Sequence, residues 1–222
     1  MFIEISYPIS DHMPVYPGLP DVVLADRERI ANGDAWNGTV VTVYTHAGTH
    51  VDAPSHYRDG ATTLDAVPIE RFLYDAPLMI EVAGERDYLI SVVDVAGAPG
   101  VEDADLLLFN TGWWKRRESD FEAYSHNFPA LSAEAARYIR EKLPKVKAVA
   151  IDTLSIENLA IGATNGYATH NTLLEDRGCL PCMIYEDYDP SRIVGRKLKR
   201  AFTTPLRLKG REATPVNIVV EV

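Results

Sequence analysis

The sequence predicts an α/β domain with a β-rich core and helices outside it. Three observations carry this expectation. Short apolar runs rich in Val, Ile and Leu recur along the chain, each bounded by polar or turn residues. Only two stretches carry helix signals. No repeat, low-complexity tract or Pro/Gly/Ser-rich linker interrupts the 222 residues, a length that one domain with a sizeable core accommodates. The chain is therefore read as a single domain, residues 1–222.

In chain order, the first strand is expected at residues 2–6. Pro14, Pro17, Gly18 and Pro20 make the following segment a structured loop, because proline removes a donor and fixes φ. Further strands are expected at residues 39–45, 77–82, 106–110, 148–152, 181–185 and 216–222. The best helix spans 132–143: Ser132 can accept a backbone N–H as N-cap, Glu134 favours the positive end of the dipole, and Pro144 stops the helix. A second helix is expected at 170–177, with Gly178 as its C′ residue. Strands outnumber helices, which places the sheet at the centre.

Composition excludes several classes. Hydrophobic residues make up 46% and charged residues 24%, the balance of an ordinary globular protein. The net charge of −10 disfavours nucleic acid or an anionic membrane as partner, since both call for a basic face. The first residues have no basic n-region and no apolar h-region, and no apolar run approaches the roughly 20 residues of a membrane span. A cytoplasmic location is the expectation. Cys179 and Cys182 form a lone C-x-x-C pair, which cannot complete a four-ligand zinc site. They are read as semi-buried thiols, with a redox or regulatory role as the alternative.

The chemistry gathers in one window. His46, His50 and His56 fall within eleven residues together with Asp52, where random placement of six histidines would put only about 0.3. Imidazole and carboxylate are the ligands that divalent zinc and manganese favour. A straight strand would place His46 and His50 about 13 Å apart at Cα, the edge of what two imidazoles can span to one ion. The chain must therefore bend, and Gly48 can take the backbone angles of a bend. Pro54 and the β-branched run upstream weigh against a helix. The ligands are expected on a turn or irregular segment at a strand's end.

The run His46-Ala47-Gly48-Thr49-His50-Val51-Asp52-Ala53-Pro54-Ser55-His56 reads H-x-G-T-H-x-D-A-P-x-H. It resembles the signature of the cyclase family, which includes bacterial-type kynurenine formamidases. The likeness extends along most of the chain, through Pro14-Val15-Tyr16-Pro17-Gly18, Ile151-Asp152-Thr153-Leu154-Ser155-Ile156, His170-Asn171-Thr172-Leu173-Leu174, Thr204-Pro205-Leu206-Arg207-Leu208 and Thr214-Pro215-Val216. The resemblance implies a barrel-like core of the swivelling β/β/α type and a homodimer or homotetramer.

The resemblance also implies roles for single residues. His46, His50 and Asp52 would hold a first metal. Asp52 would bridge to a second ion, held by His170 and by a glutamate best matched by Glu186. Zinc, one or two ions, is implied, with manganese as the alternative. The connection between His170 and Glu186 is longer than in the formamidase pattern and includes Arg177-Gly178-Cys179. His56 would be the general acid/base, in keeping with the proton chemistry of an imidazole of ordinary pKa. Asp152 and Ser155 would line or brace the site; read from the residues alone, they equally end a strand and make a turn. Trp36, Trp113, Trp114, Tyr16 and Phe128 can wall an aryl pocket or simply pack in the core. His12 and His126 are read as structural.

The activity expected from this likeness is metal-dependent hydrolysis of an amide bond, with N-formyl-L-kynurenine as substrate in tryptophan degradation. The alternatives are a cyclic amide of the isatin type and a polyketide-type cyclase or lyase. A non-catalytic metal-binding protein ranks last, because a pure metal site has no use for the extra imidazole of His56.

Overall fold

The computed structural model describes every residue except Arg177 and Cys179, and in it strands dominate the first third of the chain while helices are interspersed with strands after it. They are β1 Phe2–Glu4, β2 Val23–Glu28, β3 Gly38–Thr42, β4 His50–Asp52, β5 Leu73–Tyr74, β6 Pro77–Glu81, β7 Leu89–Ile90, α1 Val92–Ala96, β8 Leu106–Asn110, α2 Phe121–Ser125, β9 Ala130–Leu131, α3 Ala133–Lys142, β10 Ala148–Ile151, α4 Leu159–Asn165, α5 Ala168–Leu173, β11 Met183–Glu186, β12 Arg200–Pro205 and β13 Ala213–Glu221.

One nine-stranded sheet forms the core, in the order β5-β12-β13-β4-β11-β10-β8-β6, with β1 also on β13. Its two end strands, β5 and β6, are joined by only Asp75 and Ala76, so the sheet curls back on itself into a nearly closed barrel. The Asp105 carboxylate accepts the backbone N–H groups of both corner residues at 3.0 Å. Strands β6, β8, β10 and β11 run parallel, whereas β4 runs antiparallel to both of its neighbours, β11 and β13.

The central strands are buried on both faces, which is why they read as unbroken apolar runs. On β8, Leu106 and Leu108 face the barrel interior with Ala148, Ala150, Met183 and Tyr185. Leu107 and Phe109 face the other way, with Val149, Ile151 and Ile184, onto Ala135 and Ile139 of α3 and Leu173 of α5. The period of two along each strand thus divides a single run between two cores.

Helix α3 starts as expected, with the Ser132 hydroxyl accepting from Ala135 N at 3.1 Å. The second expected helix is displaced. α5 begins at Ala168 and ends at Leu173, short of residue 177, and Gly178 lies beyond it with φ +72°. The expected strand 39–45 is also shortened. β3 ends at Thr42 and pairs only with β2, in a hairpin apart from the main sheet. β4 went unread because His-Val-Asp is too short and too polar to register as an apolar run. It is nonetheless fully buried, because hydrogen-bonded strands flank it on both sides. Cys182 is buried among apolar side chains, and that burial pushes its thiol up to about 12; the C-x-x-C reading as a pair falls partly on Cys179, outside the described residues. No helix among the described residues is long and apolar enough to cross a membrane.

Candidate metal centre

The candidate ligands meet where the parallel strands end. Glu186 is the last residue of β11 and lies directly opposite His50 across the antiparallel ladder, and Ile184 lies opposite Asp52. Directly paired residues share a face, as do residues two apart, so His50, Asp52 and Glu186 all point to the same side. Val51 points into the barrel interior. The three ligand-type side chains therefore face outward, toward α5, which supplies His170.

The bend foreseen at Gly48 is present, with φ +65°. A side chain there would be strained by this angle and would collide with the Met13 methyl group. The turn swings His46 back so that its Nδ1 lies 3.0 Å from Asp52 Oδ1. His50 Nε2 lies 3.5 Å from the same oxygen and 3.3 Å from Glu186 Oε2. His170 Nε2 lies 3.4 Å from Glu186 Oε1. A short turn at Pro54–His56 returns His56 over His46, with ring centroids 4.1 Å apart.

Two donor sets share Asp52. His46, Asp52 and His56 each bring one ligand atom within 4.8 Å of the others, and so do His50, Asp52 and Glu186. The side chains that sequence reasoning nominated as ligands, His46, His50, Asp52, His170 and Glu186, are thus gathered in one place with His56. The geometry groups His56 with His46 and Asp52, whereas the family likeness keeps it for proton transfer.

The electrostatics fit a cation. Asp52 is fully buried, and neither of its oxygens has a hydrogen bond in acceptable geometry among the described residues; His50 Nε2 is in the same condition. A buried carboxylate without partners is costly unless a positive charge offsets it. Burial would raise the Asp52 carboxyl, but the imidazoles of His46, His56 and His50 outweigh that and hold it well below the usual carboxylate range. Burial likewise opposes ionisation of Glu186, and the contacts with His170 and His50 overcome it, bringing the group to about 2. His50 and His170 behave oppositely: burial pulls both down, but the carboxylates beside them carry each up to about 9. A divalent ion would replace those ring protons, and nitrogen and carboxylate oxygen are donors that zinc and manganese accept.

His56 differs from the others. Burial is the largest influence on it and lowers it; Asp52 pulls it back up, but His46 and His170 add to the lowering, and the ring ends at about 4. It is therefore a neutral imidazole near neutral pH.

A cavity of about 150 Å³ opens over these groups. Tyr16, Tyr44, Tyr57 and Leu154 wall it, and Ser155 lines it beside Glu186. Trp36, expected in the pocket, stands 63% exposed and outside this lining. Asp152 does not line the cavity either. It is buried behind the site, where its Oδ1 accepts from Thr111 N at 2.9 Å and Thr111 Oγ1 at 2.7 Å. Trp113 and Phe128 do not line the cavity; they pack in a core cluster with Tyr124 and with Leu154 of its wall.

Sequence reasoning missed Tyr44, Tyr57 and Glu157. Tyr57 follows His56 directly and stacks on His170 at 4.5 Å. Glu157 accepts from His170 Nδ1 at 2.7 Å. Neither lies in a ligand-type spacing, so only their nearness in space marks them. Asp187, which can be mistaken for Glu186 in sequence, has another task. It holds Arg117 at 2.9 Å and accepts the Tyr124 hydroxyl at 2.6 Å.

The profile of the family described as "Putative cyclase" matches residues 3–158. The chain belongs to that family. A kynurenine formamidase from Bordetella avium (strain 197N) is 26% identical over 223 residues, covering 98% of this chain and 96% of the relative. Among solved structures, a predicted metal-dependent hydrolase from Bacillus stearothermophilus is 25% identical with a TM-score of 0.76, covering 99% of this chain and 97% of that one. Isatin hydrolase A from Labrenzia aggregata, bound to benzyl benzoate, shares the fold with a TM-score of 0.82 at 18% identity, covering 99% and 93%.

Proposed function

We propose that this protein is a metal-dependent amide hydrolase of the arylformamidase class, acting on N-formyl-L-kynurenine in tryptophan degradation. One observation carries the reading: a fully buried Asp52 carboxylate, with His46 Nδ1 3.0 Å from its Oδ1, set among His46, His50, His56 and Glu186. That arrangement suits a divalent ion. Zinc, one or two ions, is the proposed metal, with manganese as the alternative. Following the family likeness, His46, His50 and Asp52 would hold the first ion, and Asp52, His170 and Glu186 the second. When bound, such an ion polarises a carbonyl and makes water a competent nucleophile near neutral pH.

The chain's own residues do the rest. His56, neutral and over the ligand cluster, takes the proton that the attacking water sheds. It then passes that proton to the departing nitrogen, which cannot leave as an anion. The tyrosine walls of the cavity offer aromatic faces to an aryl group. Ser155 braces Glu186 by donating to Oε1 at 3.2 Å.

A second reading within the same chemistry is the opening of a cyclic aryl amide of the isatin type; the small cavity of about 150 Å³ favours it, since a compact bicyclic ring needs less room than N-formyl-L-kynurenine, which carries an amino-acid group besides its aryl formamide. Cyclase or lyase chemistry is the outcome if no amide is cleaved. The protein is further proposed to act in the cytoplasm as a single catalytic domain within a homodimer or homotetramer. The β2–β3 hairpin supports assembly: a two-stranded ribbon is marginal alone, and Val40 and Val41 on it are half exposed.

The test is a zinc- or manganese-supplemented assay on N-formyl-L-kynurenine, isatin and simple aryl formamides, run beside His56→Ala. The variant is expected to keep its metal and lose ~10²–10⁴-fold in kcat. Wild-type turnover in that variant would remove the acid/base role, and failure on every amide would remove the hydrolase reading.

A further inference from the structure

The loop after β10 touches both candidate ligands of the second ion. Ile156 N donates to Glu186 Oε1 at 2.6 Å, and the Ser155 hydroxyl donates to the same oxygen at 3.2 Å. The next residue, Glu157, turns to the other ligand. Its Oε2 accepts from His170 Nδ1 at 2.7 Å and from His170 N at 3.3 Å, while its Oε1 accepts from Thr169 N at 3.1 Å. Glu157 is only 2% exposed, so its charge is committed to these partners. Gly162 makes the room: a Cβ there would lie 3.3 Å from the Glu157 carboxyl carbon and 2.6 Å from the Tyr167 ring.

The consequence for His170 is chemical. A neutral imidazole has one N–H and one lone pair. The carboxylate at Nδ1 claims the N–H, which leaves the lone pair on Nε2, the atom that faces Glu186. A ring held this way is oriented and in the tautomer a metal requires. Its counterpart on β4 is held differently, by the Gly48 carbonyl at 2.8 Å from His50 Nδ1.

Resting on the metal-hydrolase reading above, we infer that Glu157 is a positioning residue, and that residues 155–157 hold the two second-ion ligands that lie off β4, His170 and Glu186, while Asp52 of β4 is shared by both ions. A carboxylate that merely balanced a buried imidazolium would not select a tautomer or a metal count. A change at Glu157 is therefore expected to act on the second ion first, since Glu157 touches His170 and none of His46, His50 and Asp52.

The experiment is calorimetric titration of metal-stripped protein with Zn²⁺, wild type beside Glu157→Gln, with thermal melts to establish that each is folded. Wild type is expected to take two ions. Glu157→Gln is expected to keep the first ion at wild-type affinity and to bind the second ~10–100-fold more weakly. Should Glu157→Gln not fold, Glu157→Asp withdraws the carboxylate by one methylene and carries the same expectation. In ¹⁵N-detected spectra of zinc-loaded wild type, His170 is expected as the Nδ1–H tautomer. Two ions at wild-type affinity in a folded variant, equal weakening of both ions, or an Nε2–H ring in the loaded protein would each overturn the inference. A wild type that binds a single ion overturns it while leaving the hydrolase reading intact. A wild type that binds none overturns both.

Discussion

At the scale of single residues, similar carboxylates in one small region perform different work because their surroundings differ. Asp52 lies among imidazoles and is held ionised. For Asp152, at the same end of the sheet, burial is the largest influence and raises it; the hydrogen bonds from Thr111 only partly oppose this, and the carboxyl rises to about 6. The sign of its effect on stability follows. Below about pH 4, folded and unfolded chains both hold the proton. Between about pH 4 and pH 6 the unfolded chain releases it first, so stability falls as pH rises through that window and the loss persists above it. Asp152→Asn keeps an acceptor for Thr111 and removes the charge. The variant is expected to gain stability relative to wild type on passing from pH 4 to pH 7, by at most about 3 kcal/mol. Urea unfolding at both pH values measures it, and a difference that does not change with pH would contradict the assignment. The ligand residues were legible in the sequence because three histidines and an aspartate crowded one window. Glu157 and Tyr57 were not, since glutamate and tyrosine are common, and neither sits at a metal-ligand spacing from the window.

Among the elements, β4 is the one on which the site depends. It has three residues, yet it aligns His50 with Glu186 and Asp52 with Ile184 by hydrogen-bonded register alone. Its entry is the Gly48 turn, where φ is +65° and the Met13 side chain closes off the space for a Cβ. Gly48→Ala is expected to cost about 1–3 kcal/mol from backbone strain, before any effect of displacing Met13. The same substitution should weaken metal binding, because the turn carries His46 on one side and His50 on the other. Denaturant unfolding of the metal-free protein and a metal titration read the two effects separately; a variant as stable as wild type would show that the turn tolerates a side chain. The expected helix at 170–177 was displaced for a related reason. Tyr167 takes a left-handed conformation at φ +55° and starts α5 early, a choice made by packing that no capping residue announces.

For the whole molecule, the curled sheet brings together parts of the chain far apart in sequence. Glu186 and His170 reach the window at His46–His56 only because β11 pairs with β4 and α5 lies over that face. A metal held by such remote groups links the parts, and it should stabilise the fold by mass action. At a free concentration of 100 times the dissociation constant, zinc or manganese is expected to raise the melting temperature by roughly 5–10 °C, and chelation to reverse it. Identical melting curves with and without metal would contradict the proposed centre.

The sequence by itself determined the α/β class, most of the central strands, helix α3 and the cluster His46, His50, Asp52 and His56. Those features are local: periodicity, a capping serine and a dense run of ligand side chains need no distant partner to be visible. Glu186 stood on family likeness until its place opposite His50 put it in the cluster. Tertiary structure alone decided the rest. It joined β5 to β6 across the closing sheet, exposed Trp36, sent Asp152 behind the site and set Glu157 against His170. These outcomes depend on which surfaces meet once the sheet curls, and that is a property of the packed chain rather than of any window within it.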